Sequence, residues 1–168
     1  MALLNITDQI STEMDNRRYS VGIFLDLSKA FDTIDHNILL TKLEIYGIRG
    51  VALQWFASYL SNRTQLVSIA QSNSSTSLIK CGVPQRSVLG PLLFIIYIND
   101  IIKSTTLLKF VLFADDTNLF ASHINLEILI DEINKELINV STWLKINKLS
   151  LNVSKTIFII FHNRQKNS

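Results

Sequence analysis

The sequence predicts an α+β fold in which one mainly antiparallel sheet has helices packed on one face. Four apolar runs, which begin near Tyr19, Leu107, Thr117 and Thr156, have the composition and length of strands. Long segments with apolar residues at helical spacing lie between them. No internal repeat or linker divides the 168 residues, so we expect one domain, residues 1–168, with residues 163–168 as a polar tail.

The composition is that of a globular chain with a sizeable core. Hydrophobic residues make up 48% and charged residues 18%, which excludes a disordered polar chain. The longest apolar run, residues 88–98, is too short to span a bilayer, so we expect no membrane partner. The mean hydropathy of +0.26 is high for such a chain, and we expect part of the apolar surface to lie against a partner or further domain.

The net charge and the cysteine content further narrow the functional classes to which the chain could belong. The net charge of +2 is only a weak basic bias, less than a complete nucleic-acid enzyme usually carries. Cys81 is the single cysteine, which excludes an intrachain disulfide and a cysteine zinc site. The first residues lack the basic start and apolar core of a secretory signal. These features favour an intracellular protein.

The first half of the chain predicts helices around one buried strand. Residues 3–18 have helical spacing, and residues 19–27 are β-branched, aromatic and almost continuously apolar. Asp35 has the position of an N-cap for a helix over 36–46, which Gly47 ends. A second helix is expected over residues 50–60.

The second half predicts two hairpins, two helices and a last strand. Strands over 62–70 and 76–83 enclose a Ser-rich loop, and Ser87 can cap an apolar helix over 88–102, which we expect to be buried nearly all round. A hairpin over 107–120 precedes an amphipathic helix over 127–148 and a strand over 156–161.

Three carboxylates occupy positions that ordinary packing does not explain. Asp115 and Asp116 are adjacent between two apolar runs, where each carboxylate raises the cost of ionising the other. An Asp-Asp turn facing water would also fit, since Asp is a common turn residue. Asp26 is the one charge in the strand over 19–27, where a backbone-bonded structural Asp is the alternative. If the two strands are neighbours, the three carboxylates could hold two divalent cations for nucleotidyl transfer.

Four motifs in order give the chain a family resemblance. Four segments resemble the palm motifs of reverse transcriptases from non-LTR (LINE-type) retrotransposons. They are residues 24–36 (FLDLSKAFDTIDH), 82–91 (GVPQRSVLGP), 113–116 (FADD) and 143–156, which end in NVSKT. The resemblance covers residues 21–161 and implies the palm of a right-hand polymerase. It implies RNA-directed DNA polymerase activity, with two Mg²⁺ or Mn²⁺ ions, dNTPs, an RNA template and a DNA primer. It makes the nucleus a plausible compartment.

The resemblance also implies roles for individual residues. Asp26, Asp115 and Asp116 would be the catalytic carboxylates. Asp26 and Asp115 would be the principal metal ligands, Asp116 would assist them, and the Leu27 carbonyl would complete a metal shell. Ala30, Phe31, Gln85 and Arg86 would line the substrate pocket, where the bulk of Phe31 rejects a ribose 2′-hydroxyl. Lys155 would donate a proton to the departing pyrophosphate or neutralise it; a solvated lysine is the alternative.

Two departures from the family pattern bear on activity. Arg86 stands where the family has Gly, which lets the backbone approach the template and nucleotide closely. From the resemblance we also expect the start of the fingers, the thumb and an endonuclease domain to be missing. The alternative is therefore a truncated, catalytically inactive retroelement remnant that keeps the palm fold. A nucleotide cyclase would share the carboxylate chemistry, but residues 82–85 and Phe31 argue against it.

Overall fold

Helices and strands follow one another much as the sequence predicts. The computed structural model describes residues 2–70, 72–84, 87–113 and 116–163, and only the backbone of residues 2–5 and 113. The helices are α1 (Ala2–Asp15), α2 (His36–Ile45), α3 (Val51–Leu60), α4 (Leu89–Ile98) and α5 (Leu126–Ile146). The strands are β1 (Tyr19–Leu25), β2 (Leu27–Ser28), β3 (Thr64–Gln65), β4 (Ser68–Ile69), β5 (Ser72–Asn73), β6 (Ser77–Leu78), β7 (Lys109–Phe113), β8 (Asp116–His123), β9 (Ser150–Leu151) and β10 (Ile157–Phe161).

The chain folds into two compact units. The sheet unit combines Met1–Ser28, Asp100–Ile146 and Ser150–Ser168, and the helical unit combines Lys29–Asn99 with Asn147–Leu149. No helix in the described part of the chain is both long enough and apolar enough to cross a membrane.

A four-stranded antiparallel sheet forms the centre of the sheet unit. Its strand order is β10-β1-β8-β7, so the strand that carries the first motif lies between the last strand and the acidic hairpin. The pairing of β1 with β8 extends from Tyr19 opposite His123 to Leu25 opposite Thr117. The expected α+β class with an antiparallel sheet is confirmed.

The central strands of this sheet are largely buried. Val21, Ile23 and Leu25 alternate along β1 on one face, where each is at most 5% exposed, and Leu119 of β8 is fully buried. Helix α5, whose buried residues include Leu129, contacts β8, and α1 contacts β1. Ser20 and Gly22 on the other face of β1 are buried as well, as expected for a strand that is apolar almost throughout.

In the helical unit, α2 contacts both α3 and α4. The Asp35 side chain accepts hydrogen bonds from the Asn37 and Ile38 amides, as expected of an N-cap. Gly47, with φ +94°, follows the end of α2, and the Ile48 amide returns to the Leu43 carbonyl. The cap and stop predicted for this helix are confirmed.

Three elements differ from the sequence-based expectation. The strand over 19–27 is interrupted at Asp26, because β2 leaves the sheet and pairs with β9. The helix over 88–102 ends at Ile98 and continues as a 3₁₀ segment, and Leu92 and Ile95 are 51% and 44% exposed. The helix is therefore not buried all round. The two strands over 62–83 are divided into the short pairs β3–β6 and β4–β5.

Candidate active site

Asp26 and Asp116 lie at the same end of two neighbouring strands. Leu25 is opposite Thr117 in the last pair of the antiparallel register; Asp26 follows Leu25 in the chain, and Asp116 precedes Thr117. Asp116 also begins β8 and pairs with Phe113 across the hairpin. Asp116 is exposed and Asp26 is half-buried. Asp115, the third expected carboxylate, lies outside the described residues.

The backbone at Leu27 adds an oxygen at this strand end. The Asn152 amide donates a 2.8 Å hydrogen bond to the Asp26 carbonyl, and Leu27 is the next residue to pair, opposite Leu151. Antiparallel pairs alternate between hydrogen-bonded and non-hydrogen-bonded. The Leu27 carbonyl therefore points away from β9.

A tight turn built on Asn152 carries Lys155. The Asn152 carbonyl accepts hydrogen bonds from the amides of Lys155 (3.1 Å) and Thr156 (3.0 Å), and from the Thr156 hydroxyl. The Ser154 hydroxyl donates to the Asn152 side-chain oxygen at 2.7 Å. Since the Asn152 amide is bonded to Asp26, the turn is attached to the strand end that carries the carboxylate. The Lys155 side chain is exposed.

In the helical unit, the segment with Ala30 and Phe31 is held against the start of the second motif. The Val83 amide donates to the Phe31 carbonyl at 2.8 Å, and the Gly82 amide donates to the Ile34 carbonyl at 2.7 Å. The Phe31 ring lies 5.1 Å from the Phe94 ring. Ala30 is buried and Phe31 is half-buried, so the packing fixes the position of the Phe31 ring.

Gly82 permits this crossing of two backbones. Its φ is +85°, and a Cβ at this position would lie 2.8 Å from the Asp32 carbonyl oxygen. Such a contact is shorter than any stable packing of carbon against oxygen. The glycine is therefore required both by the backbone conformation and by the space around it.

The second motif turns into α4 through Ser87. Its hydroxyl donates to the Pro84 carbonyl at 2.7 Å and accepts from the Gly90 amide at 2.9 Å. The second of these bonds satisfies an amide in the first turn of α4, as predicted for Ser87, although the residue at the N-cap position is Val88. Gln85 and Arg86, the expected pocket residues between Pro84 and Ser87, lie outside the described residues.

A polar network in the helical unit was not expected from the sequence. The fully buried Tyr97 hydroxyl donates to the Asn147 carbonyl at 2.7 Å and accepts from the Asp35 amide. Lys148 forms a 2.6 Å ion pair with Asp35, which holds the pKa of that carboxyl below its usual value, although desolvation opposes the effect. Lys42 donates to the Tyr97 carbonyl at 2.6 Å. No sequence pattern links these residues, because they come from distant segments.

The residues at the sheet end fit a site for hard divalent cations. Carboxylate and carbonyl oxygens are the ligands that Mg²⁺ prefers, and two carboxylates side by side repel without a cation between them. Among the described residues, no group of three or more His, Cys, Asp or Glu side chains could hold a metal ion. The expected set of three at this strand end includes Asp115, which is not among them.

Comparison with known proteins gives the same assignment along nearly the whole chain. Residues 2–167 match the family model described as reverse transcriptase (RNA-dependent DNA polymerase). An RNA-directed DNA polymerase from the mobile element jockey of Drosophila melanogaster is 30% identical over 158 residues, which are 90% of this chain and 17% of that protein. A probable RNA-directed DNA polymerase from transposon X-element of the same species is 35% identical over 98 residues, 58% of this chain and 11% of that protein. The chain thus spans less than a fifth of the length of either relative.

Solved structures support the fold alone. A telomerase from Candida albicans, in complex with a fragment of telomeric RNA, superposes with a TM-score of 0.62 at 16% identity, over 98% of this chain and 30% of that chain. An apo telomerase from Candida tropicalis gives a TM-score of 0.65 at 16% identity, over 97% and 36% of the two chains.

Proposed function

The chain belongs to the reverse transcriptase (RNA-dependent DNA polymerase) family, and from that premise we propose that it is the palm of an RNA-directed DNA polymerase. It transfers deoxynucleotides from dNTPs to the 3′-hydroxyl of a DNA primer paired with an RNA template. The observation that carries the proposal is the pairing of β1 with β8, whose last pair, Leu25 and Thr117, adjoins Asp26 and Asp116 in the chain.

Asp26, Asp115 and Asp116, with the Leu27 carbonyl, would hold two Mg²⁺ or Mn²⁺ ions. When bound, such ions activate the primer hydroxyl and stabilise the charge of the departing pyrophosphate. The carboxylates would supply the negative charge that retains the cations, and the hydrogen bond from the Asn152 amide to the Asp26 carbonyl holds the backbone from which the first carboxylate extends. Positioning and charge neutralisation account for most of the catalysis of phosphoryl transfer.

The other expected residues act on the substrates. Phe31, held by Phe94 and by the Val83 amide, would exclude the 2′-hydroxyl of a ribonucleotide by its bulk. The small side chain of Ala30 would let the backbone approach the nucleotide closely. Gln85 and Arg86 would line the template side of the pocket. Lys155, on the turn attached to Asp26, would give a proton to the pyrophosphate or neutralise its charge.

Primer extension by the chain tests this function. We expect incorporation of dNTPs on an RNA template with Mg²⁺ or Mn²⁺, and a loss of at least about a hundredfold in Asp26→Asn and in Asp116→Asn. Asp131→Asn is the matched control, since Asp131 is exposed on α5 and pairs only with Lys135 within the described structure. We expect this variant to extend primers as the wild type does.

Two results would overturn the proposal. Extension that survives both carboxylate substitutions would show that the strand end is not the catalytic site. An absence of extension by the folded wild-type chain with either metal would instead support the alternative, an inactive remnant with the palm fold.

A further inference from the structure

The side chain of His36, the first residue of α2, is bonded to the backbone of the second motif. Its Nε2 lies 2.8 Å from the carbonyl oxygen of Gly82. A carbonyl oxygen can only accept a hydrogen bond, so Nε2 carries the proton and donates it. The imidazole is half-buried and Gly82 is buried, which shields this bond from much of the competing water. His36 is not among the residues assigned above to nucleotidyl transfer.

The peptide group that accepts this bond is also bonded to Phe31. The Gly82 carbonyl and the Val83 amide belong to one planar peptide group. The Val83 amide donates to the Phe31 carbonyl at 2.8 Å. A chain of two hydrogen bonds therefore leads from the His36 imidazole, through this peptide, to the backbone of Phe31. Hydrogen bonds in such a chain polarise and strengthen one another.

The peptide between Gly82 and Val83 needs an outside partner to keep its orientation. Gly82 has a φ of +85°, and a glycine rotates more freely than other residues because it has no Cβ. Its amide donates to the Ile34 carbonyl at 2.7 Å, which fixes the peptide before Gly82 but not the one after it. The bond from His36 supplies the missing restraint.

The orientation of this peptide matters for the position of Phe31. Val83 is buried, and a rotation of its peptide would break the bond to the Phe31 carbonyl. The Phe31 ring would keep its contact with Phe94, at 5.1 Å between ring centroids, but its backbone would lose this restraint. A displacement of about 1 Å can change a rate by roughly a hundredfold when a group must fit closely against a substrate.

We propose that His36 is a positioning residue, which fixes Phe31 through the Gly82–Val83 peptide and so sharpens the choice of deoxynucleotides over ribonucleotides. The effect on substrates rests on the proposed polymerase function. The chain of hydrogen bonds itself lies within the helical unit and can be measured without any substrate. His36 acts through the backbone rather than by contact with the nucleotide.

Single-nucleotide primer extension tests the effect on specificity. His36→Leu removes the donor, while His36→Gln keeps an N–H donor at a distance from the backbone similar to that of Nε2. We expect His36→Leu to raise KM for dNTPs at least about fivefold, with kcat changed less than about twofold. The ratio of ribonucleotide to deoxynucleotide incorporation should rise at least about threefold, and His36→Gln should stay within about twofold of the wild type.

His123→Leu is the matched control, because His123 lies in the sheet unit and its Nδ1 accepts from the Asn125 amide two residues away. This variant should keep the wild-type KM and the wild-type ratio. Equal effects of His36→Leu and His123→Leu would overturn the inference, and so would a failure of His36→Gln to restore the wild-type values.

A double variant tests whether His36 acts through Phe31. In a Phe31→Ala background the discriminating ring is absent, so His36→Leu should leave the ratio unchanged. Effects that act through one group are not additive, whereas independent effects multiply. A further rise of the ratio in the double variant, equal to that in His36→Leu alone, would contradict the proposed route.

Hydrogen exchange at the Val83 amide, followed by NMR, measures the chain of bonds without a nucleotide. Exchange should be at least about tenfold faster in His36→Leu than in the wild type, and His36→Gln should restore it. Unchanged protection of Val83 in folded His36→Leu would overturn the inference. If His36→Leu does not fold, His36→Asn replaces it in each measurement, since its amide is one bond too short to replace Nε2.

The two proposals fail in different ways. If the wild type does not extend primers but Val83 exchange responds as expected, the polymerase function is refuted and the positioning of Phe31 by His36 stands. If the wild type extends primers and His36→Leu keeps both KM and the ratio, only the inference about His36 is wrong.

Discussion

The Asn152 amide donates a 2.8 Å hydrogen bond to the Asp26 carbonyl, which joins the last motif of the chain to the first. Lys155 lies three residues further along the same turn. The residue expected to assist the leaving group is therefore attached by backbone bonds to the residue expected to hold the metals.

Lys155→Ala should slow primer extension by at least about tenfold, because the pyrophosphate would lose a proton donor or a neutralising charge. A structural role would not alter the pH dependence, so the rate should be measured against pH, and the alkaline limb should change only in this variant. Lys145→Ala, an exposed lysine on α5, is the control. An unchanged rate in Lys155→Ala would leave Lys155 as a solvated side chain.

Phe31→Ala should raise the incorporation of ribonucleotides relative to deoxynucleotides by about tenfold or more. In its proposed role the half-buried ring would fill the space that a 2′-hydroxyl needs, and a tenfold change corresponds to about 1.4 kcal/mol. Phe158→Ala removes a 65% exposed ring and should leave the ratio unchanged. Equal ratios in the two variants would contradict the steric role of Phe31.

Arg86→Gly should raise primer extension at least tenfold, a gain of about 1.4 kcal/mol in transition-state stabilisation. The substitution restores the family residue between Pro84 and Ser87 and removes a long charged side chain from the expected pocket. Arg49→Gly, at an exposed position, tests for a general effect of removing an arginine. If Arg86→Gly gives no gain, Arg86 is tolerated and the inactive-remnant alternative loses its main support.

Asp35→Asn should make the stability of the chain less sensitive to acid. Lys148 holds the pKa of Asp35 below its ordinary 3.8, so the ion pair stabilises the fold fully above that value. The stabilisation is lost as the pH falls through the lower, folded-state pKa. Asparagine keeps the oxygen that caps α2, so the substitution isolates the pair.

Urea unfolding at about pH 6 and about pH 3 measures this difference. The wild type should lose more free energy of unfolding than Asp35→Asn between the two values, by less than about 1 kcal/mol because Lys148 is largely exposed. Identical losses would show that the pair does not contribute to the acid sensitivity.

Gly82→Ala should lower the free energy of unfolding by at least about 1 kcal/mol more than Gly47→Ala does. Both glycines have positive φ, +85° and +94°, so both substitutions strain the backbone. Only at Gly82 would the added Cβ meet another backbone, since nothing lies within 4 Å at Gly47. Equal losses in chemical denaturation would mean that the segment around Asp32 can move away.

Local patterns in the sequence were sufficient to predict most of the strands and helices of the sheet unit. The apolar run that begins at Tyr19 and the acidic pair at the hairpin predicted two strands, and the pairing of β1 with β8 confirmed that they are neighbours. The interruption at Asp26 was not predictable, because it depends on β9, which follows more than a hundred residues later. Pairing between distant segments leaves no periodicity in either of them.

In the helical unit, side-chain contacts between distant segments could not be predicted from the sequence either. Asp35 was identifiable as a cap because the partners of a cap are only two and three residues away. Its bonds with Tyr97 and Lys148 come from segments that no spacing rule connects. The exposure of Leu92 and Ile95 was missed for a related reason, since hydropathy does not reveal which face of an apolar helix has neighbours.

The division of the chain into two units has a consequence for how its length can vary. All four strands of the central sheet lie outside residues 29–99, the long segment of the helical unit. Insertions or deletions within the hairpins of that segment change no strand register in the sheet, and lengthening a loop costs little entropy. Insertions and deletions among relatives should therefore be concentrated between residues 60 and 80. They should be rare at residues 147–149, because the Tyr97–Asn147 hydrogen bond holds this short segment within the helical unit.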